Sequence, residues 1–318
     1  MKTLIIPCAG KSSRFPGMPP KWLLKYPDGE LMVRKSIQGL PLEKFERIIV
    51  TAVKEHVEKY DAEILLRNAF SFLPEDKFDL CVLDDFTSCQ AETIYKTLKI
   101  CNVSSTFSVK DSDNYIKMNL GDNDNYVTGI DIQNFSKEVE RLAGKSFLKI
   151  NDQRIITDII EKRIVSNYVS IGMYGFSDVN IFFEAYEHLK NNKSVESEIY
   201  LSHLISYLIG TQKSVYSYVE ADDYEDWGTS KDWYAILEKK KTYMINVEDV
   251  LLKKNQSYDN GKYLFDENNL KVVKELSDEG AQIILLLSMD EEQSEIIEKQ
   301  LMEFDIKIHR TISNCYIS

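Results

Sequence analysis

Over its first 113 residues the chain alternates short apolar runs with amphipathic stretches. TLIIP (3–7), RIIVTAV (47–53), FDLCVLDD (78–85) and TFSVKD (106–111) have the length and composition of strands. Between them, EHVEKYDAEILLRNAF (55–70) carries Val57, Tyr60, Ile64 and Leu65 at helical spacing, and QAETIYKTLKIC (90–101) reads as a second helix. Strands joined through helices pair in parallel, because the crossover returns the chain to the same end of the sheet. The pattern predicts a doubly wound α/β fold on a mixed, mostly parallel sheet.

After Asp113 the rhythm changes. NYVTGIDI (125–132), KSFLKIN (145–151), IITDIIEKRI (155–164) and YVSIGMYGF (168–176) read as strands with shorter connections, an extension of the sheet. SEIYLSHLISYLI (197–209) is a helix with Leu201, Ile205 and Leu208 on one face, and KSVYSYVEA (213–221) returns as a strand. A boundary is expected at LEKKK (237–241), which separates a domain of residues 1–237 from one of residues 242–318. The second reads as its own βαβαβ unit: TYMINV (242–247), ENNLKVVKELSDEG (267–280), AQIILLL (281–287), DEEQSEIIEKQLMEF (290–304) and DIKIH (305–309).

At 318 residues the chain is long enough for two cores, and its net charge of −12 argues against nucleic acid or an anionic membrane as partner. No apolar run reaches membrane-spanning length, and the start of the chain has no signal-peptide pattern. Five scattered cysteines without metal spacing read as reduced thiols of a cytoplasmic protein. The terminal CYIS fits a prenylation pattern, but no polybasic run precedes it, and it is read as a chance tail. The four histidines lie apart and receive no catalytic role.

In so acidic a chain, a local cationic loop points to a small anion. The loop is PCAGKSSRFPGMPPKWL (7–23), directly after the first strand. A glycine turn there lets backbone N–H groups approach a phosphate. It is not a P-loop: GKS occurs at Gly10 and at Gly144, and the glycine required five positions earlier is Ile5 in one case and Val139 in the other. The G-x-G-x-x-G dinucleotide pattern is absent as well.

The turn carried by Ala9, Gly10, Ser12, Ser13 and Arg14, followed by Pro20 and Lys21, resembles the signature of the nucleotidyltransferases that join an NTP to a sugar phosphate or similar phosphate monoester. The resemblance implies that Ala9, Gly10, Lys11, Ser12 and Ser13 cradle the triphosphate, while Arg14 and Lys21 neutralise charge on the α-phosphate and the leaving pyrophosphate. Such chemistry is mainly positioning and electrostatic stabilisation.

Further segments match in order. Asp113, in VKDSDN (109–114), stands where the family places a Mg²⁺ ligand; Asp111, two residues earlier and so on the same side of an extended segment, is the second candidate. Asp226 opens a DWGT that resembles the family's second metal-binding aspartate, against the alternative of an Asx turn. Gln90 matches the residue that contacts the nucleotide base, against a helix cap. Glu161 and Lys162 match the Glu-Lys pair that holds an acceptor hydroxyl and the acceptor phosphate, although Arg163 stands where proline often follows. Glu198 matches an acceptor-site acid, against simple helix N-terminal charge.

The second domain resembles the start of a haloacid-dehalogenase-type phosphatase, with Asn246 at the nucleophile position, Glu248 at the acid/base position and Ser288 as the later hydroxyl. An amide is a poor carboxylate substitute, so this domain is expected to be degenerate and incomplete. Oligomerisation of the chain with itself, stabilisation or regulation are the roles left to it. Together these features predict a Mg²⁺-dependent nucleotidyltransferase acting on an NTP and a phosphorylated small molecule, with GKSSR leaning to CTP. The resemblance implies a product for capsule or surface-polysaccharide synthesis. The rivals are a catalytically silent nucleotide-binding or scaffold protein, a phosphatase, and a bifunctional nucleotidyltransferase–phosphatase.

Overall fold

The computed structural model describes residues 2–315 except 27, 137, 138, 140, 193–197, 240, 255–257, 260, 261 and 279. The chain divides into one compact unit of Met1–Leu24 with Leu31–Ser230, and another of Lys25–Glu30 with Lys231–Ser318. The division therefore falls at Ser230 rather than at 237–241, and the short segment 25–30 groups with the second unit.

In the first unit, strands β1 (Thr3–Pro7), β2 (Arg47–Val53), β3 (Phe78–Leu83) and β4 (Phe107–Lys110) are the four apolar runs of the opening pattern. Helices α1 (Met32–Lys35), α2 (Lys54–Lys59), α3 (Ala62–Ala69) and α4 (Gln90–Ile100) lie between them. The helix expected over 55–70 is two helices. Asp61, at the N-cap of the second, adopts a left-handed φ of +48° and separates them. The buried face moves with it: Ala62 and Leu66 are buried, whereas Ile64 is 64% exposed.

Then follow β5 (Asn114–Lys117), β6 (Tyr126–Asp131), β7 (Phe147–Ile150), β8 (Ile155–Ile160), β9 (Tyr168–Phe176), helices α5 (Val179–Asn191) and α6 (Leu201–Gly210), β10 (Tyr216–Glu220) and β11 (Asp223–Asp226). Helix α5 was not foreseen; Asp178 caps it by accepting from Asn180 N at 2.7 Å and Ile181 N at 3.4 Å. The β5–β11 ladder was not foreseen either. It is antiparallel and sets Asp226 opposite Asn114.

The main sheet has the order β3-β2-β1-β4-β9-β6-β10-β8-β7. It is mixed, but parallel pairing is confined to β3-β2-β1-β4 and to β6–β10; the pairings of β9, β8 and β7 are antiparallel. The long strand β9 explains the shape of the far half. Its edge opposite β6 pairs with β7 at Tyr168 and Val169, and with β4 from Met173 to Phe176. The β9–β7 pairing closes β9, β6, β10, β8 and β7 into a ring. Gly172 lies between the two pairings, and its carbonyl accepts from Asp111 N at 2.8 Å, so the turn after β4 is seated where β9 changes partners.

Apolar residues alternate to both faces, as a doubly wound sheet requires. Ile5 and Ile49 join the cluster under α4, α5 and α6, built on Ile94, Leu98, Phe182, Leu204 and Leu208. Leu4, Ile6, Ile48 and Val50 join the opposite cluster with Trp22, Phe45, Ala62 and Leu66.

The second unit holds α7 (Ser230–Lys239), β12 (Thr242–Asn246), a short hairpin of β13 (Tyr258–Asp259) and β14 (Lys262–Tyr263), α8 (Glu267–Asp278), β15 (Gln282–Leu286), α9 (Glu291–Met302) and β16 (Ile308–Ile312). Its sheet β12-β15-β16 is parallel throughout. This is the expected βαβαβ unit, with the last strand three residues later than expected. Its core is Val247, Leu251, Ile283, Leu285, Ile297 and Leu301. Tyr26 and Trp233 meet edge-on, ring centroids 4.7 Å apart. Glu248 accepts from Ser288 N at 2.7 Å and from Ser288 Oγ at 2.8 Å, and Asn246 donates to Asp249 at 2.9 Å.

Candidate active site

A cleft of about 940 Å³ opens at the ends of β1 and β4 and across to β7, β8 and β11. Gly10, Lys11, Ser12, Ser13, Arg14, Lys21, Gln90, Asp111, Asp113, Glu161, Lys162, Glu198 and Asp226 all line it. Ala9, 1% exposed under the loop, and the buried Pro20 stand behind the wall.

The loop after β1 turns at Ser12, whose φ of +50° is left-handed. Ser12 O accepts from Phe15 N at 2.9 Å, and Phe15 anchors the turn in the core. Ser12 Oγ accepts from Lys21 N at 3.2 Å, so the hydroxyl ties the glycine turn to the Pro20–Lys21 segment. There a single turn of 3₁₀ helix (Lys21–Leu23) buries Trp22 and leaves Lys21 facing the cleft.

Lys21 Nζ meets Asp113 Oδ2 at 2.6 Å, with side chains 22% and 14% exposed. Burial pushes the Asp113 carboxyl up, but Lys21, backed by Arg14 and Lys110, outweighs it and holds the group at about 2. Asp111 lines the same cleft. Strand β4 stops at Lys110 and β5 begins at Asn114, so Asp111 and Asp113 stand on a short connection rather than on an extended strand. Asp111 instead accepts from the Gln90 side-chain amide. Burial, reinforced by the Asp113 charge, raises the Asp111 carboxyl to about 6. Gln90 is thus the first residue of α4, tied to the acidic turn.

Asp226 reaches the cleft through the β5–β11 ladder, and Trp227 N donates to Asp113 O at 2.9 Å, which draws the two acidic segments together. Arg141 donates to Asp226 Oδ1 at 2.7 Å, Lys145 Nζ to Oδ2 at 2.5 Å, and Gly228 N to Oδ1 at 2.9 Å. Burial raises this carboxyl, but Lys145 and then Arg141 outweigh it and leave it below the ordinary range. The Gly228 contact is the Asx turn that the sequence offered as an alternative. Among the described residues, no group of three or more Asp, Glu, His or Cys side chains is placed to hold a metal ion.

At the other end, Glu161 accepts from Ser202 Oγ at 2.6 Å and from Ser146 Oγ. Lys162 donates to the Tyr200 hydroxyl, which holds its ammonium above the ordinary lysine range, and its ring contact to Tyr200 is 4.2 Å. Lys162 N also donates to Lys145 O at 3.1 Å.

Sequence reasoning missed Arg141, Lys145, Ser146, Tyr200 and Ser202. One signal was present. The second GKS (144–146), set aside as a P-loop, contributes all three of its residues to the cleft. Arg141 had no comparable mark, because its place depends on a left-handed φ of +56° ahead of a 3₁₀ turn.

The fold meets a consistent set of solved structures. No family model matches the chain, and no curated protein matches it. It is similar to a nucleoside-diphosphate-sugar pyrophosphorylase from Vibrio cholerae at 21% identity and a TM-score of 0.61, over 74% of this chain and 99% of that one. It is also similar to the inositol-1-phosphate CTP transferase from T. maritima (15%, TM-score 0.57, 75% and 95%). A third is a UDP-glucose pyrophosphorylase complexed with UDP-glucose (14%, TM-score 0.56, 75% and 97%). At these identities the likeness shows a shared fold. No helix among the described residues is long and apolar enough to cross a membrane.

Proposed function

We propose that the first unit is a nucleotidyltransferase of the sugar-phosphate pyrophosphorylase type. The observation that carries this reading is the convergence on one cleft of the turn at Gly10–Arg14, Lys21, and the acids Asp113 and Asp226. The three similar structures act as support, since their names describe pyrophosphorylases and a CTP transferase.

In this reading an oxygen of the acceptor's phosphate attacks the α-phosphorus of an NTP. The new P–O bond forms as the α–β bridge breaks, and pyrophosphate leaves with the electron pair. The turn at Gly10–Ser13 binds the triphosphate tail, and Arg14 with Lys21 offsets charge growing on the α-phosphate and the leaving group. Lys162, whose backbone N–H meets Lys145 O, receives the acceptor phosphate, while Glu161 and Glu198 accept from acceptor hydroxyls. Asp113 and Asp226 fit a hard divalent ion: Mg²⁺ takes one or two carboxylates and completes its shell with water and phosphate oxygens. When bound there it would supply charge neutralisation. Asp111, held by Gln90, is the weaker donor.

We lean to CTP as the nucleotide and to a sugar or polyol phosphate as acceptor, feeding surface-polysaccharide or capsule synthesis. The second unit is read as non-hydrolytic, because Asn246 offers an amide where a nucleophile is needed.

The test is pyrophosphate release from each of four NTPs against a panel of phosphate monoesters with Mg²⁺. One pair is expected to turn over, and Asp113→Ala and Asp226→Ala should each lower its kcat by about a hundredfold or more. NTP binding without release by any pair would favour the silent binding protein, and turnover retained in both variants would remove these acids from the site.

A further inference from the structure

Lys110 is the last residue of β4 and is fully buried. It does not line the cleft. An ammonium has three N–H donors, and Lys110 Nζ uses them on Asp111 O at 2.7 Å, Asn114 O at 2.9 Å and the Asn114 side-chain oxygen. All three acceptors lie in the turn that presents Asp113. None of its donors remains for a ligand.

The same ammonium reaches the second acid through the backbone. Asn114 opens β5, and the residue opposite it in the β5–β11 ladder is Asp226. Trp227 N closes the pair from the other side on Asp113 O at 2.9 Å. One side chain thus fixes the turn on which Asp113 stands and the strand position against which Asp226 is registered.

We propose that Lys110 is a positioning residue that locks the two acidic segments of the cleft into one frame. Its effect on turnover rests on the nucleotidyl-transfer reading; its effect on the backbone does not. A glutamine here is shorter and has two amide N–H donors, so Lys110→Gln leaves acceptors of the turn unmet.

The experiment compares Lys110→Gln with the unaltered full chain in two arms. Amide hydrogen exchange, read by peptide mass, is expected to rise about tenfold both in 111–117 and in 223–228, with β1 unchanged. With the NTP and acceptor found by the pyrophosphate screen, kcat is expected to fall about a hundredfold as the acids lose their alignment, with NTP Kd moving less than about threefold. Acceleration confined to 111–117, or no acceleration, overturns the proposal, as does an unchanged kcat in a substrate-active enzyme. If Lys110→Gln does not fold, the pair Lys110→Met with Asp111→Asn removes both buried ionisable side chains together, and the same exchange pattern is required of it. If no substrate pair turns over, the nucleotidyl-transfer reading fails while the exchange arm still decides Lys110.

Discussion

At Gly172 the backbone takes a φ of +93°, and a Cβ built there would stand 2.3 Å from Asp111 Oδ2 and 2.7 Å from the Asn114 amide. A methyl group cannot be accommodated without moving the Asp111 and Asn114 side chains, and the positive φ adds strain of its own. Gly172→Ala should therefore lower stability by about 2–4 kcal/mol in urea unfolding. A loss under about 0.5 kcal/mol, the range of neutral surface changes, would mean that the turn yields freely. The sequence offered this glycine only as one residue of the strand YVSIGMYGF (168–176). Nothing local announces that a residue of β9 and a residue after β4 must share so little space. The charged residues divide in the same way. Lys21 was legible because it follows a marked turn, whereas Arg141 and Lys145 meet Asp226 across 85 and 81 residues.

Among the elements, the break between α2 and α3 offers a clean test. Asp61 is exposed, left-handed and without a side-chain cap bond, so its carboxylate contributes little there. Asp61→Gly is expected to raise stability by about 0.5–1 kcal/mol in chemical unfolding, because glycine accepts that φ without penalty; a clear loss would show that the side chain matters. The elements that sequence located were those with enough apolar residues to fix a period: β1 through β4, and β9, whose expected and observed limits coincide at 168 and 176. Those it missed have a different basis. NYIK (114–117) and DYED (223–226) are short and largely polar, and they pair only because the chain folds them together. Asp111 and Asp113 both reach the cleft, but from the segment after β4 rather than from the extended strand that the spacing assumed.

For the whole molecule, the contrast of interest is between net charge and cleft. The chain carries −12 overall, yet Lys11, Arg14, Lys21, Arg141, Lys145 and Lys162 all face one hollow. Such an arrangement admits a small polyphosphate and offers no continuous basic surface to a duplex. In a mobility-shift assay at about 0.15 M salt, duplex DNA and structured RNA should give no complex, while inorganic triphosphate should bind in calorimetry. A stable DNA complex would contradict this charge reading. The α/β architecture of this unit was legible from one alternation. The ring made by the far half was not, since it depends on β9 exchanging one neighbour for another partway along its length.

That exchange has a further consequence. A sheet normally ends in two rows of unpaired backbone groups, and either row is a template for adding a strand from another molecule. In the nine-stranded sheet one end is consumed by the seam between β7 and β9, so β3 supplies the remaining border, where Val82 is 41% exposed. Among the described residues, strand-by-strand growth from this sheet has one flank from which to begin.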